Sequence, residues 1–240
     1  MSHDALKRLQ MAARRGDLGG IRALLAKGST ANGLGLALLA AAARGQTLAT
    51  QYLIDCGADP NFFGPSGKRW RVSPLGIAAA QGHLETMRLL LDRGASPGQN
   101  RWPHHRGNQD PLCLAAGRSD PAATELLLER GAPINVEESI DFNDFCLHSP
   151  ALDQAIIQNR CKTAKLLLKH GARREPFFSS SSFREMFFPL LIAIEFGRGT
   201  MCRLLLRAGA NPWRADADAL SRTSPEIVSI ISKARTRFPL

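Results

Sequence analysis

No run of apolar residues in this 240-residue chain approaches the roughly 18 that a membrane-spanning helix needs. The longest apolar segment, Leu34 to Ala43, is Ala/Leu-rich and far too short. No membrane association is expected. Met1 to Arg15 alternates apolar with basic residues and contains Asp4, so the apolar core of a secretory signal is missing as well. The expectation is a protein that stays where it is made, in the cytoplasm, with nuclear entry left open. Cysteine offers little. Cys56, Cys113, Cys146, Cys161 and Cys202 are odd in number, widely spaced and without a Cys-x-x-Cys pair. That argues against a disulfide framework and against a zinc ribbon. The recurring catalytic signatures are missing too: no phosphate loop, no Gly-x-Gly-x-x-Gly and no His-Glu-x-x-His. His104 and His105 with Cys113 match no recurring zinc spacing. Asp144, Cys146 and His148 lie within five residues on what reads as a loop, where triad geometry is rarely met. No catalytic residue, cofactor or metal site is expected.

What the chain does have is positive charge. Its 31 Lys and Arg against 21 Asp and Glu leave a net +10. Such a surplus suits nucleic acid, a membrane surface or an acidic protein, and composition alone does not choose.

The chain also repeats itself. A glycine closes a Leu-rich phrase at Gly28, Gly57, Gly94, Gly131, Gly171 and Gly209, with spacings of 29, 37, 37, 40 and 38. Leu90-Leu91-Asp92-Arg93-Gly94-Ala95 and Leu127-Leu128-Glu129-Arg130-Gly131-Ala132 are typical copies. About twenty residues earlier stands a second phrase. It reads Ser73-Pro74-Leu75-Gly76-Ile77-Ala78-Ala79, then Asp110-Pro111-Leu112-Cys113-Leu114-Ala115-Ala116, and later Phe188-Pro189-Leu190-Leu191-Ile192-Ala193. A near-fixed period of this length marks a solenoid.

The unit has a physical reading. Ser73 caps a helix and Pro74 suits its first turn, where an amide donor would go unpaired anyway. Gly82 ends that helix. Leu84, Met87, Leu90 and Leu91 then give a second helix one apolar face. Gly94 takes the left-handed position beyond its end. Cys161 and Cys202 fall in such second helices, as small packing residues. One helix pair cannot bury its own apolar face, whereas stacked copies can.

Ser73 to Ala95 resembles an ankyrin repeat, close to that family's Thr-Pro-Leu-His-x-Ala-Ala opening and Leu-Leu-x-x-Gly-Ala close. Weaker copies extend over nearly the whole chain. The resemblance implies an all-α, curved ankyrin-repeat solenoid of about six helix-turn-helix repeats plus a degenerate C-terminal cap, with long hairpin-like fingers. The reading is one domain: a capping repeat at 1–28, repeats at 29–57, 58–94, 95–131, 132–171 and 172–209, and a cap at 210–240. The family's histidine is replaced by Gly76, Cys113 and Leu191. In the cap, Ile227, Val228, Ile230 and Ile231 belong to the last helix, and Lys233, Arg235 and Arg237 suit its C-terminal end.

Individuality lies in the fingers. The one after Gly28 is short or absent. The one after Gly57 holds Phe62, Phe63, Lys68, Arg69, Trp70 and Arg71. The next holds Arg101, Trp102, His104, His105 and Arg106. Pro133 to His148 reverses the sign with Glu137, Glu138, Asp141 and Asp144. Arg173 to Phe188 contains five phenylalanines around Ser179 to Ser182. Two readings compete. Aromatics can pack finger onto finger beneath a solvated basic rim. Alternatively, Trp70, Trp102 and their basic neighbours form an interface, since Trp and Arg are enriched at hot spots. The second is favoured for Trp70 and Trp102, while Trp213 is expected to pack on the terminal cap.

The resulting expectation is a monomeric, non-catalytic protein-binding module. Its partner presents an acidic surface to the fingers and the concave side of the first helices, and binding inhibits or directs a partner enzyme. The alternative is a nucleic-acid-associated protein using the same basic, aromatic fingers.

Overall fold

A computed structural model describes residues 3–28, 30–66, 70–98, 110–141, 144–148, 150–175, 177–178 and 188–238. Among them the helices come in pairs. They are α1 (His3–Arg15) and α2 (Leu18–Leu25), α3 (Ala31–Ala42) and α4 (Thr47–Asp55), α5 (Pro74–Gln81) and α6 (Leu84–Asp92), and α7 (Pro111–Ala116) and α8 (Ala122–Glu129). After these come α9 (Pro150–Ile157) and α10 (Cys161–Lys169), α11 (Pro189–Glu195) and α12 (Gly199–Arg207), and α13 (Ala217–Ser221) and α14 (Pro225–Arg237). The fold is the all-α ankyrin solenoid expected, with strands confined to fingers. In the finger after Gly57, β1 (Gly64–Ser66) pairs antiparallel with β2 (Trp70–Val72). Further on, β3 (Val136–Asp141), β4 (Asp144–His148) and β5 (Phe177–Phe178) form one antiparallel sheet in that order. One finger thus pairs its backbone with the next. Asp144, Cys146 and His148, read above as loop residues, lie in β4, because the ladder to both neighbours holds their backbone extended.

The local chemistry explains the elements. The Ser73 hydroxyl accepts from the Gly76 amide at 3.0 Å, and Pro74 opens α5. The Asp110 carboxylate does the same work for Leu112 at 3.0 Å ahead of α7. All six closing glycines have positive φ, from 79° at Gly131 to 92° at Gly57 and Gly171. A side chain there would sit in a conformation that L-residues avoid. The turn inside the fifth pair uses Asn159 instead, at φ 56°. Asn tolerates that region better than most residues. The finger after Gly28 is absent. Thr30 caps α3 directly, accepting from Gly33 at 3.1 Å, and the helix gains a turn in its place.

The chain divides into two compact units. The first contains Met1–Gln99, Gln109–Ala115 and Ala122–Ala132, and the second includes Ala116–Pro121 and Pro133–Leu240. In the first, α1 packs on α3 and α3 on α5, around Leu9, Ile21, Leu38, Leu53, Leu75 and Leu90, all fully buried. In the second, α9 packs on α10 and α11, and α12 on α14, around Leu152, Ile156, Leu167, Met201 and Leu205. Val228 and Ile230 are only half-buried on α14, whereas Ile227 and Ile231 face the core.

Candidate functional site

The finger after Gly57 is seated on the preceding repeat by a ring and two glycines. A Cβ at Gly35 on α3 would overlap the Phe62 ring carbons, and one at Gly64 would overlap Leu39 Cδ1 and Phe62 Cε1. Phe62, half-buried, fills the space those missing side chains leave. The stretch between them makes the hairpin base a packed joint. Phe63 is half-buried beside it. The backbone of Trp70 and Arg71 runs in β2, with Trp70 opposite Ser66 and Arg71 opposite Pro65. Lys68, Arg69, Arg101, Trp102, His104, His105 and Arg106 lie outside the described residues. The same holds for Ser179 to Ser182.

A second device ties finger bases together across repeats. The residue four beyond a closing glycine reaches into the next repeat. Asn61 donates from Nδ2 to Gly94 O at 2.9 Å and accepts from the Ser96 amide at 2.8 Å. Asn135 repeats the pair in the second unit, to Gly171 O at 3.0 Å and from Arg173 N at 2.9 Å. Glu175 accepts from Asn211 N at 2.9 Å. Sequence reasoning missed this bridge, although its signal is plain in hindsight: an amide or carboxylate at a fixed distance from the closing glycine.

The inner side of the first helices in the first unit offers a surface with one register. Met11, Ala40 and Ile77 stand five residues before Gly16, Gly45 and Gly82, on three adjacent helices. Met11 is 51% exposed and the other two are half-buried. Arg15, Arg44 and Gln81, one residue before each glycine, are exposed along its edge. The strip is apolar and edged by two cations, Arg15 and Arg44, and the amide of Gln81.

Trp213 is committed to the C-terminal cap. Its indole Nε1 donates to Phe238 O at 2.8 Å, and the Arg235 guanidinium lies 4.9 Å from its ring centroid. Arg235 also donates to the carbonyls of Pro212 and Ala215. It is thus a clasp between α14 and the preceding turn, a more specific role than the favourable helix-end charge expected of it.

Among the described residues no group of His, Cys, Asp and Glu is arranged to hold a metal ion. Cys113 is buried in α7 and Cys202 in α12, while Cys56 is exposed. Burial pushes the Cys202 thiol up to about 11, so it stays protonated at neutral pH and packs as a small apolar side chain. No described helix is long and apolar enough to cross a membrane.

Comparison with known families matches residues 9–101 to a model of ankyrin repeats in three copies. The chain has the ankyrin-repeat fold, and its residues 9–101 match the family. Across 94% of its length and 96% of the other chain, its fold superposes on the crystal structure of the human ASB11 ankyrin repeat domain, with a TM-score of 0.70 and 24% identity. The search of curated proteins gives no match. Ankyrin repeats are typically non-catalytic modules that mediate protein–protein interaction, and this chain carries their scaffold from α1 through α14.

Proposed function

We propose that this ankyrin chain is a monomeric cytoplasmic binding module for an acidic protein surface, engaged through the finger after Gly57 and the inner side of the first helices. The observation that carries the reading is the seated hairpin. Phe62 locked over Gly35 fixes the base of a finger whose sequence is Lys68-Arg69-Trp70-Arg71. A finger whose base is already packed loses less entropy on binding, so more of its contact energy translates into affinity. Trp70 and Trp102 are the proposed anchors. Lys68, Arg69, Arg71, Arg101 and Arg106 steer the encounter, with His104 and His105 beside them. The strip of Met11, Ala40 and Ile77 offers apolar contact to a partner lying alongside. Binding that occludes a partner's working surface would make the chain an inhibitor or effector of an enzyme.

The test is capture of partners by the wild-type chain, followed by direct affinity measurement with Trp70→Ala, Trp102→Ala and Arg71→Glu. The expected result is a loss of about tenfold or more for at least one tryptophan variant. Unchanged affinity in all three overturns the finger reading. Retention on nucleic acid at about 150 mM salt, with no captured protein, turns the assignment to the nucleic-acid alternative.

A further inference from the structure

The outward faces of the second helices use one register for opposite purposes in the two units. In the first unit the acid two residues before a closing glycine is answered by an arginine one residue before the next. Asp55 receives Arg93 at 2.6 Å, and Asp92 receives Arg130 at 2.7 Å. The charges there belong to the chain's own inter-repeat pairs. In the second unit the acid's position is taken by Lys169 and then Arg207, and the following arginine's by Ala208. No internal acid completes the pattern.

What stands there is a compact cationic patch. Lys162, Lys165 and Lys169 are exposed at i, i+3 and i+7, one face of α10 whose other face buries Thr163, Ala164 and Leu167. On α12, packed against it, Arg203 and Arg207 are exposed at i and i+4, opposite buried Met201, Cys202, Leu205 and Leu206. Arg203 pairs with Glu226 at 2.8 Å. Lys162, Lys165, Lys169 and Arg207 make no ion pair among the described residues. These four exposed cations stand on two packed helices, and nothing in the packing of α10 or α12 requires them.

We propose that the outward face of α10 and α12 is a docking surface for a short acidic peptide segment, separate from the finger site. The charge asks for carboxylates where the first unit supplies its own. The size favours a peptide over a duplex. Lys162 to Lys169 spans about 10 Å of helix, and neighbouring helix axes lie about 8–10 Å apart. That is a fraction of one duplex turn of about 34 Å. The exposed positions of this face, Lys162, Lys165, Lys169, Thr200, Arg203 and Arg207, include no aromatic ring for base stacking.

The test uses the full chain and a fluorescent oligoglutamate peptide of about ten residues, in low and near-physiological salt. Reversing Lys162, Lys165 and Lys169 to Glu is expected to weaken binding by about tenfold or more, with helicity unchanged by circular dichroism. The same positions changed to Gln give a smaller loss, which guards against a misfolded reversal. Lys7→Glu with Lys27→Glu and Arg237→Glu, exposed cations outside this face and outside the fingers, is the charge-matched control and leaves peptide affinity nearly unchanged, while the finger variant Lys68→Glu with Arg69→Glu and Arg71→Glu reports any share of the peptide held by the finger. If the finger variant loses the peptide and the helix variants keep it, this inference fails while the finger reading stands. Absence of wild-type binding overturns it, as does a short duplex of equal charge binding more tightly than the peptide.

Discussion

Asp92 and Lys169 occupy the same place in two repeats, two residues before the closing glycine, on the outward side of a second helix. In the first unit Asp92 is tied to Arg130. In the second, Lys169 has no such tie among the described residues. The difference teaches how a repeat scaffold separates folding from binding. Positions facing the stack carry the same kinds of residue in both units, Leu90 and Leu167 for instance, since burial leaves little choice. Bridges at the finger base also recur in both, through Asn61 and Asn135. Only the outermost position is free to change sign. An exposed ion pair is worth about 0–1 kcal/mol, so a repeat can drop it at small cost and present the freed charge to a partner.

That ordering can be challenged from the inside outward. Leu90→Ala and Leu167→Ala each remove a fully buried side chain. Each should cost about 2–5 kcal/mol. Hydrogen exchange should accelerate most in the unit that holds the mutation. Equal costs would confirm that the cores are alike, and a cost below that range in one unit would break the comparison at its base. Next come Asn61→Ala and Asn135→Ala. Each deletes a donated and an accepted bond to the following repeat. At partly solvated sites the pair should be worth about 1 kcal/mol, read from urea midpoints at constant slope. A loss at one Asn only would mean the two bridges are not equivalent.

How much of this could be read without coordinates depends on how far apart the interacting residues stand. The closing glycines announce themselves locally, since helix end, left-handed turn and following alanine are contiguous. So do the Ser73-Pro74 cap and the Ile227 and Ile231 face of α14. Phe62 over Gly35 joins residues 27 apart, and nothing in either neighbourhood marks the other. Spacing therefore left Phe62 open between packing and interface, and its seat on α3 was not foreseen. The extra turn of α3 was hidden because Ala31 to Gly35 contains two glycines, Gly33 and Gly35, and packing outweighs their low helix propensity. The lysine stripe is different. Its i, i+3, i+7 spacing is written in the sequence. Its meaning is not, because only the Asp55–Arg93 and Asp92–Arg130 pairs reveal that the same positions can be internally neutralised.

The smallest expected effect is also the most selective. Lys169→Asp combined with Ala208→Arg would install in the second unit the register of Asp92 and Arg130. Ala208 stands one residue before Gly209, as Arg130 stands before Gly131, and is only half-buried, so a long side chain has room to leave the surface. A double-mutant cycle over the two sites should give a favourable coupling of about 0.2–1 kcal/mol that shrinks as salt rises. The single Lys169→Asp should change stability by within about 0.5 kcal/mol, since no partner is lost. The installed pair should also weaken the acidic peptide, because it removes one cation and occupies the added one. Coupling without loss of the peptide would show that Lys169 is spare charge and shift the docking surface toward Lys162 and Lys165. Absence of coupling would mean that the outward register differs between the units in backbone geometry as well as in charge.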